Sequence, residues 1–157
     1  MIPVVLTEVA VDDPVVLRMR QEMGAEMAAL YGRPRHTAPA EDIDPDSVVA
    51  TLIAWQGDHP VGTGALRRLG ADVEVKRMYV PRVGRGQGVG RLLLEDLEDR
   101  ARRTGAPRLL LHTGSRQEPA LALYRASGYT EVSVFEPYRS VPDSVCFAKD
   151  LIEGPAS

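Results

Sequence analysis

Cysteine is almost missing from this chain: of 157 residues only Cys146 carries a thiol. One thiol cannot close an internal disulfide, and no other metal-ligating residues cluster around it, so neither a disulfide framework nor a metal centre is expected. Aromatic residues are scarce, at two Phe, one Trp and five Tyr, and no excess of positive charge exists, the net charge being −3. A nucleic-acid partner needs a basic face and stacking rings, and an anionic membrane surface needs the former, so both are argued against. No apolar run approaches the roughly 20 residues that a bilayer crossing takes. The opening "MIPVVLTEVA" has no basic stretch leading into a long apolar core, so it does not read as a secretory signal. With the lone thiol, this makes the cytoplasm the expected location.

What is present suits a globular domain. Hydrophobic residues make up 44% and charged residues 26%, and a chain of this length buries about two thirds of its unfolded surface. The expectation is one domain over residues 1–157, its core running from about residue 3 to residue 151. "PVVLTEVA" reads as a strand. Asp12 and Asp13 then offer an N-cap, Pro14 suits a first helical turn, and Val16, Met19, Met23, Met27 and Leu30 recur at helical spacing until Gly32 and Pro34. The methionine stripe reads as core packing. Residues 32–46 form a long loop, and long loops in compact domains are often functional. "SVVATLIAWQ", "PVGTGALRRL" and "DVEVKRMYV" follow as an antiparallel meander, turning at residues 57–59 and at Gly70–Ala71. A helix is expected over residues 88–103, with the pairs Asp96–Arg100, Glu98–Arg102 and Asp99–Arg103 on its solvent side. "PRLLLHT" reads as a strand buried on both faces, and "EPALALYRASG" as a short helix. "YTEVSVF" and "SVCFAKDL" read as two closing strands, with Cys146 packed in the last. The order describes one mixed α/β domain with a partly antiparallel sheet.

Between the third meander strand and its helix stand four glycines, Gly84, Gly86, Gly88 and Gly90. Glycine takes φ > 0 and lets a ligand approach the backbone closely. The first N–H groups of a helix lack partners and sit at the positive end of its dipole. Together they form an anion cradle whose usual occupant is phosphate, and Arg82, Arg85 and Arg91 add charge nearby. No lysine follows the glycines, so this is not a P-loop. Nor is it Gly-x-Gly-x-x-Gly: the third position falls on Val89 counted from Gly84, and on Arg91 counted from Gly86.

The phrase "RGQGVG", Arg85 to Gly90, resembles the Gln/Arg-x-x-Gly-x-Gly/Ala signature of the GNAT family of N-acetyltransferases. "VEVKRMYV" is similar to that family's central strand, and "QEPALALYRASGY" to its Asn-x-x-Ala-x-x-Leu-Tyr-x-x-x-Gly-Phe segment. The order of elements agrees over nearly the whole chain. The resemblance implies the acyl-CoA N-acyltransferase fold, a mostly antiparallel twisted sheet flanked by helices. It implies acetyl-CoA as cosubstrate, its pyrophosphate on the N–H groups of Arg85, Gly86, Gln87, Gly88, Val89 and Gly90. Its pantetheine would run beside Met78, Tyr79 and Val80, with Gln117 and Tyr124 also in contact. Gln117 stands where the family often has Asn, and Tyr129 where it usually has Phe. The implied reaction is direct transfer to a primary amine of a small molecule. The alternative is a CoA-binding regulatory module of the same fold without turnover. Dimers are common in the family, which leaves a homodimer open.

Amide formation from a thioester needs a neutral amine, and a free alkyl ammonium has a pKa near ~10.4. It also needs a donor for the oxyanion and an acid for the departing thiolate. Tyr124, at the family's tyrosine position, is the candidate acid. Glu74 is the candidate base, on the strand where several members carry Glu. A two-residue turn at Gly70–Ala71 would set Arg67 opposite Glu74, and a salt bridge would then explain the carboxylate equally well. His36 is a second candidate base by its titration range. The acceptor is expected between the loop at 32–46 and "FEPYRSVPD", where Arg33, Arg35, Tyr138 and Arg139 could hold a small anionic or aromatic amine. Arg67 and His36 complete the candidate acceptor contacts.

Overall fold

The computed structural model describes residues 2–32 and 43–152. Arg33, Arg35 and His36 lie outside the described residues. β1 (Val4–Val9) leads to α1 (Pro14–Tyr31), which starts as the sequence dictates: Asp13 accepts a hydrogen bond from Val15 N–H at 2.9 Å, and Pro14 follows. Gly32 ends it at φ 66°, its N–H returning to Ala28 O. A 3₁₀ turn (Pro45–Ser47) opens the meander β2 (Val48–Gln56), β3 (His59–Leu69) and β4 (Asp72–Tyr79). A second 3₁₀ turn (Arg82–Gly84) precedes α2 (Val89–Arg103), β5 (Arg108–Gly114), α3 (Glu118–Ala126), β6 (Thr130–Val132) and β7 (Ser144–Asp150).

These strands form one seven-stranded sheet in the order β1-β2-β3-β4-β5-β7-β6. Every pairing is antiparallel except β4 with β5. The mixed α/β architecture therefore stands as expected. Most boundaries shift by a residue or two from the expectation, and two of the shifts have a visible cause. The β2–β3 turn is two residues, because His59 already pairs with Gln56. β6 stops at Val132, because Val134 and Phe135 leave the sheet to pack around Tyr138.

Alternation along the strands sorts side chains to two faces. On one face Leu93, Leu94 and Leu97 of α2 and Leu121 and Tyr124 of α3 pack on Leu52, Leu66, Val73, Val75, Leu109, Leu111 and Phe147. Each fully buried leucine is worth about 1.5–3 kcal/mol. On the other face Val16 and Met19 of α1 pack on Ile53 and Tyr79. Met19 thus meets the expectation for the methionine stripe, while Leu30 at its end is exposed. Cys146 is buried on this second face beside Tyr138.

Asp96–Arg100 forms the expected helical ion pair at 2.6 Å. Arg102 Nη2 lies 3.6 Å from Glu98 as expected, but Glu98 does not belong to the solvent side: it is buried, with Tyr129 Oη donating to it at 2.7 Å and Lys149 Nζ at 3.1 Å. Asp99 pairs with Arg102 instead of Arg103, whose Nε donates to the Asp99 carbonyl. Among the described residues no helix is long and apolar enough to cross a membrane, and no three His, Cys, Asp or Glu side chains could hold a metal ion.

Candidate active site

β4 and β5 run side by side for only three residue pairs, Val73–Leu109, Glu74–Leu110 and Val75–Leu111. Beyond them β5 continues along β7 as far as Gly114–Ser144, and β4 continues along β3 as far as Tyr79. The two parallel strands therefore part, and from Lys76 onward β4 has no strand on that side. Such an edge offers N–H and C=O groups to any extended chain laid beside it. β4 also bulges here: Ala65 opposes Lys76 while Thr63 opposes Tyr79, and Arg77 adopts φ 59°. A bulge re-aims neighbouring side chains, and bulges recur beside active sites.

The glycine turn lies at the end of that edge. Gly86 and Gly88 take φ 78° and 76°, with nothing within 4 Å of where a Cβ would stand. Gly84 and Gly90 are small for a different reason. A Cβ at Gly84 would lie 2.4 Å from Val61 O, and one at Gly90 3.2 Å from Leu123 Cδ2. Gly88 is the N-cap of α2 and brings no side chain to the first N–H groups. Those donors and the helix dipole therefore face outward.

The arginines nearby are less available than their number implies. Arg85 Nε donates to Val80 O at 2.9 Å and its Nη2 to Glu26 at 2.6 Å, while Arg91 pairs with Glu95 at 3.0 Å. Glu26 also accepts from Tyr79 Oη at 2.9 Å. Burial works to raise the Glu26 pKa, but the bonds from Arg85 and Tyr79 and the charges of Arg85 and Arg82 hold it below the ordinary carboxylate value. Burial, then Glu26 itself, push the Tyr79 phenol up to about 12. This network pins α1 to the turn. Gln87 is held too, donating to Val83 O and accepting from Gln56 Nε2.

Tyr124 lies on α3 with its ring buried, edge-on to Tyr129 at 6.2 Å and to Phe147 at 5.8 Å. Burial alone pushes its phenol up to about 12. Among the described residues its hydroxyl makes no hydrogen bond, yet the oxygen is not sealed off. Gln117 precedes α3 without capping it, its amide close against Gly114.

On the α1 face a cleft opens among Val11, Val16 and Arg20, the segment Ile43 and Val48, and the sheet. Thr51, Thr63, Ala65, Arg67, Lys76 and Arg77 line it from β2, β3 and β4. Its β4 residues Lys76 and Arg77 are those at which β4 and β5 part.

Arg67 and Glu74 are directly opposed across β3 and β4. Arg67 Nε donates to Glu74 Oε1 at 2.8 Å, and Tyr138 Oη donates to Glu74 Oε2 at 2.6 Å. Arg67 Nη2 in turn donates to Tyr138 Oη at 3.2 Å. Glu74 is 0% exposed, so both carboxylate oxygens are engaged and no face of it meets the cleft. Tyr138 is equally buried, stacked on His112 at 3.7 Å with Lys76 Nζ 4.6 Å from its ring centre. Burial, then Glu74, push the Tyr138 phenol far upward.

The family model for acetyltransferases of the GNAT family matches residues 16–129. The chain belongs to the GNAT family. An "IAA acetyltransferase" of Azospirillum brasilense is 36% identical over 140 residues, covering 87% of this chain and 90% of that protein. A Klebsiella pneumoniae acyl-CoA N-acyltransferase structure superposes with a TM-score of 0.82 at 29% identity, covering 97% of this chain and all of that one. A Bacillus subtilis acetyltransferase solved in complex with CoA shares the fold, with a TM-score of 0.69 at 17% identity and coverage of 96% and 100%. The chain is an acyltransferase.

In this GNAT chain Arg85 of the glycine turn folds back on the end of β4, its Nε donating to Val80 O at 2.9 Å. Tyr138 does not reach the cleft surface as an acceptor contact would. It touches Glu74 and Arg67 from behind, because the connection that carries it folds inward between Phe135 and Cys146. Arg139 is exposed, near Glu136 at 3.6 Å, and is not part of the cleft lining. Sequence reasoning missed Thr51, Arg20, Lys76 and Arg77. A polar Thr inside the apolar run "VVATLIAWQ" was the available signal for the first.

Proposed function

We propose that this GNAT acyltransferase moves the acetyl group of acetyl-CoA to a primary amine of a small molecule seated in the α1-face cleft. The observation that carries the reading is the parting of β4 and β5 at Lys76, between an uncapped helix start and that cleft. The residues fit the donor's shape. The free edge of β4 at Met78–Val80 suits an extended pantetheine arm, and the bare N–H groups from Gly86 to Gly90 suit a pyrophosphate. Gln117, half-buried at the head of α3, completes that wall. The relative's own name, IAA acetyltransferase, supports acetyl as the group transferred.

Bound there, acetyl-CoA supplies an acetyl group already activated as a thioester. The chain's residues supply the rest. Tyr124 holds a proton for the departing thiolate: its phenol stays neutral up to about 12, and no described residue claims its hydrogen. Backbone N–H groups on the β4 edge are available for the carbonyl oxygen. As the C–N bond forms and the C–S bond breaks, the amine's proton passes to water rather than to Glu74, whose oxygens both serve Arg67 and Tyr138.

The test is thermal melting with and without acetyl-CoA, using NAD and ATP as controls. Acetyl-CoA at about a hundred times its Kd adds about 2.7 kcal/mol, a rise of roughly 5–10 °C for a domain of this size. No rise at millimolar acetyl-CoA would end the reading.

A further inference from the structure

Arg67 lines the cleft with its direction fixed. Arg67 is 8% exposed, and its guanidinium is held on two sides, by Glu74 Oε1 at Nε and by Tyr138 Oη at Nη2. Tyr138 is itself clamped by His112, stacked 2° from parallel, and by Phe135. Among the described residues the bonds of Arg67 end there, and Nη1 takes part in none. A guanidinium locked in one plane with donors to spare is preorganised for a planar anion, and carboxylate is the best geometric match.

An independent observation lies on the neighbouring strand. Thr51 is 3% exposed and lines the same cleft, and its Oγ1 is the one buried side-chain polar atom without a hydrogen-bond partner among the described residues. Buried hydroxyls are normally satisfied, so an orphan in a cleft wall calls for a partner from outside the chain. The register places the two groups together. Thr51 opposes Ala65, and Arg67 is two residues along on the same face, making Thr51 and Arg67 diagonal neighbours roughly 7–8 Å apart at the backbone. Between them Ala65 contributes only a methyl group. No carboxylate lines the cleft among the described residues, and Glu74 stands behind Arg67. Arg20, Lys76 and Arg77 also line it, each already engaged elsewhere.

We infer that the acceptor is a small amine that also carries a carboxylate, an amino acid or close relative, with the carboxylate bound between Arg67 and Thr51. Glu74 and Tyr138 are then positioning residues for Arg67. The distance supports a small acceptor. Thr51, Ala65 and Lys76 stand in line across β2, β3 and β4, so about 10 Å separates Thr51 from the strand at which the acetyl group would arrive. The inference rests on the acetyl-CoA reading above.

Thiol release by the full chain at saturating acetyl-CoA tests it, with three matched acceptor sets: amino acids, their α-amides and their decarboxylated amines. Aminoalkylphosphonates form a fourth. The expected result is turnover favouring carboxylates, with kcat/KM lower by about 10–100-fold for amides and amines. Thr51→Val removes the hydroxyl at constant volume and should raise KM for carboxylate acceptors about tenfold, and Arg67→Lys should do the same. If Arg67→Lys does not fold, Thr51→Val decides alone. Equal rates on amines and amino acids would overturn the inference, as would a preference for phosphonates or a Thr51→Val enzyme with unchanged KM. So would turnover of none of these acceptors by a protein that acetyl-CoA stabilises, and each of these outcomes leaves the donor assignment standing. Absence of acetyl-CoA stabilisation would remove both.

Discussion

Tyr124 and Tyr129 share one ring cluster, yet their hydroxyls have different fates. Tyr129 Oη donates to Glu98 at 2.7 Å, where Lys149 also binds, so the extra oxygen relative to phenylalanine is tied into a buried ion pair. Tyr124 Oη bonds to no described residue. Tyr124→Phe should therefore keep the packing and the melting temperature within about 2 °C. It should lower kcat by about 10²–10⁴, the usual contribution of a positioned acid, and leave the acetyl-CoA shift intact. Burial raises this phenol from 10.0 to about 12, so the proton is retained above pH 10. Any alkaline limb it causes in kcat belongs near 12. A Tyr124→Phe enzyme with wild-type kcat removes the assignment. Tyr124 was legible in the sequence because it sits inside a motif. Thr51 was not, since a threonine in an apolar strand also reads as a good β-former, and only the fold shows it lining the cleft with its hydroxyl buried and without a partner among the described residues.

Elements with local causes were read correctly. The Asp13 cap, the Gly32 stop and the glycine turn each follow from a few adjacent residues. The parting of β4 from β5 has no such cause. "PRLLLHT" announces burial on both faces, but how far its parallel neighbour accompanies it depends on α2, on β7 and on a bulge at Arg77 that no glycine marks. Within the turn the glycines separate by experiment. Gly88→Ala places a Cβ in open space at φ 76°, which costs about 1–2 kcal/mol of backbone strain. That is a fall of roughly 2–8 °C in Tm, with a smaller acetyl-CoA shift as the cradle deforms. Gly84→Ala meets Val61 O at 2.4 Å and should lower Tm further, because backbone cannot step aside as a side chain can. Melting curves with and without acetyl-CoA check both. A Gly88→Ala protein with wild-type Tm and an undiminished shift shows that the positive φ is not required.

At the scale of the molecule, Arg67, Glu74 and Tyr138 join β3, β4 and the connection between β6 and β7, segments far apart in the chain. The sequence left Glu74 between base and bridge, because the Gly70–Ala71 turn makes the cross-strand pair visible while Tyr138 arrives from 64 residues away. The two roles differ in what Glu74→Gln does. As a catalytic base, Glu74 could be neutralised with little loss of stability, and kcat would fall. As the partner of a buried guanidinium it could not, since breaking a buried pair costs about 3–5 kcal/mol, roughly 6–20 °C here. Tyr138→Phe removes one bond to the carboxylate, worth about 1.5–3 kcal/mol. Because both changes strike the same carboxylate, the double variant should lose less than the sum of the two. Thermal melting of the three variants decides the matter. Additive losses would show that Tyr138 and Glu74 do not act as a unit. A Glu74→Gln protein that melts like the wild type but turns over slowly would return Glu74 to the chemistry and leave Arg67 without its anchor.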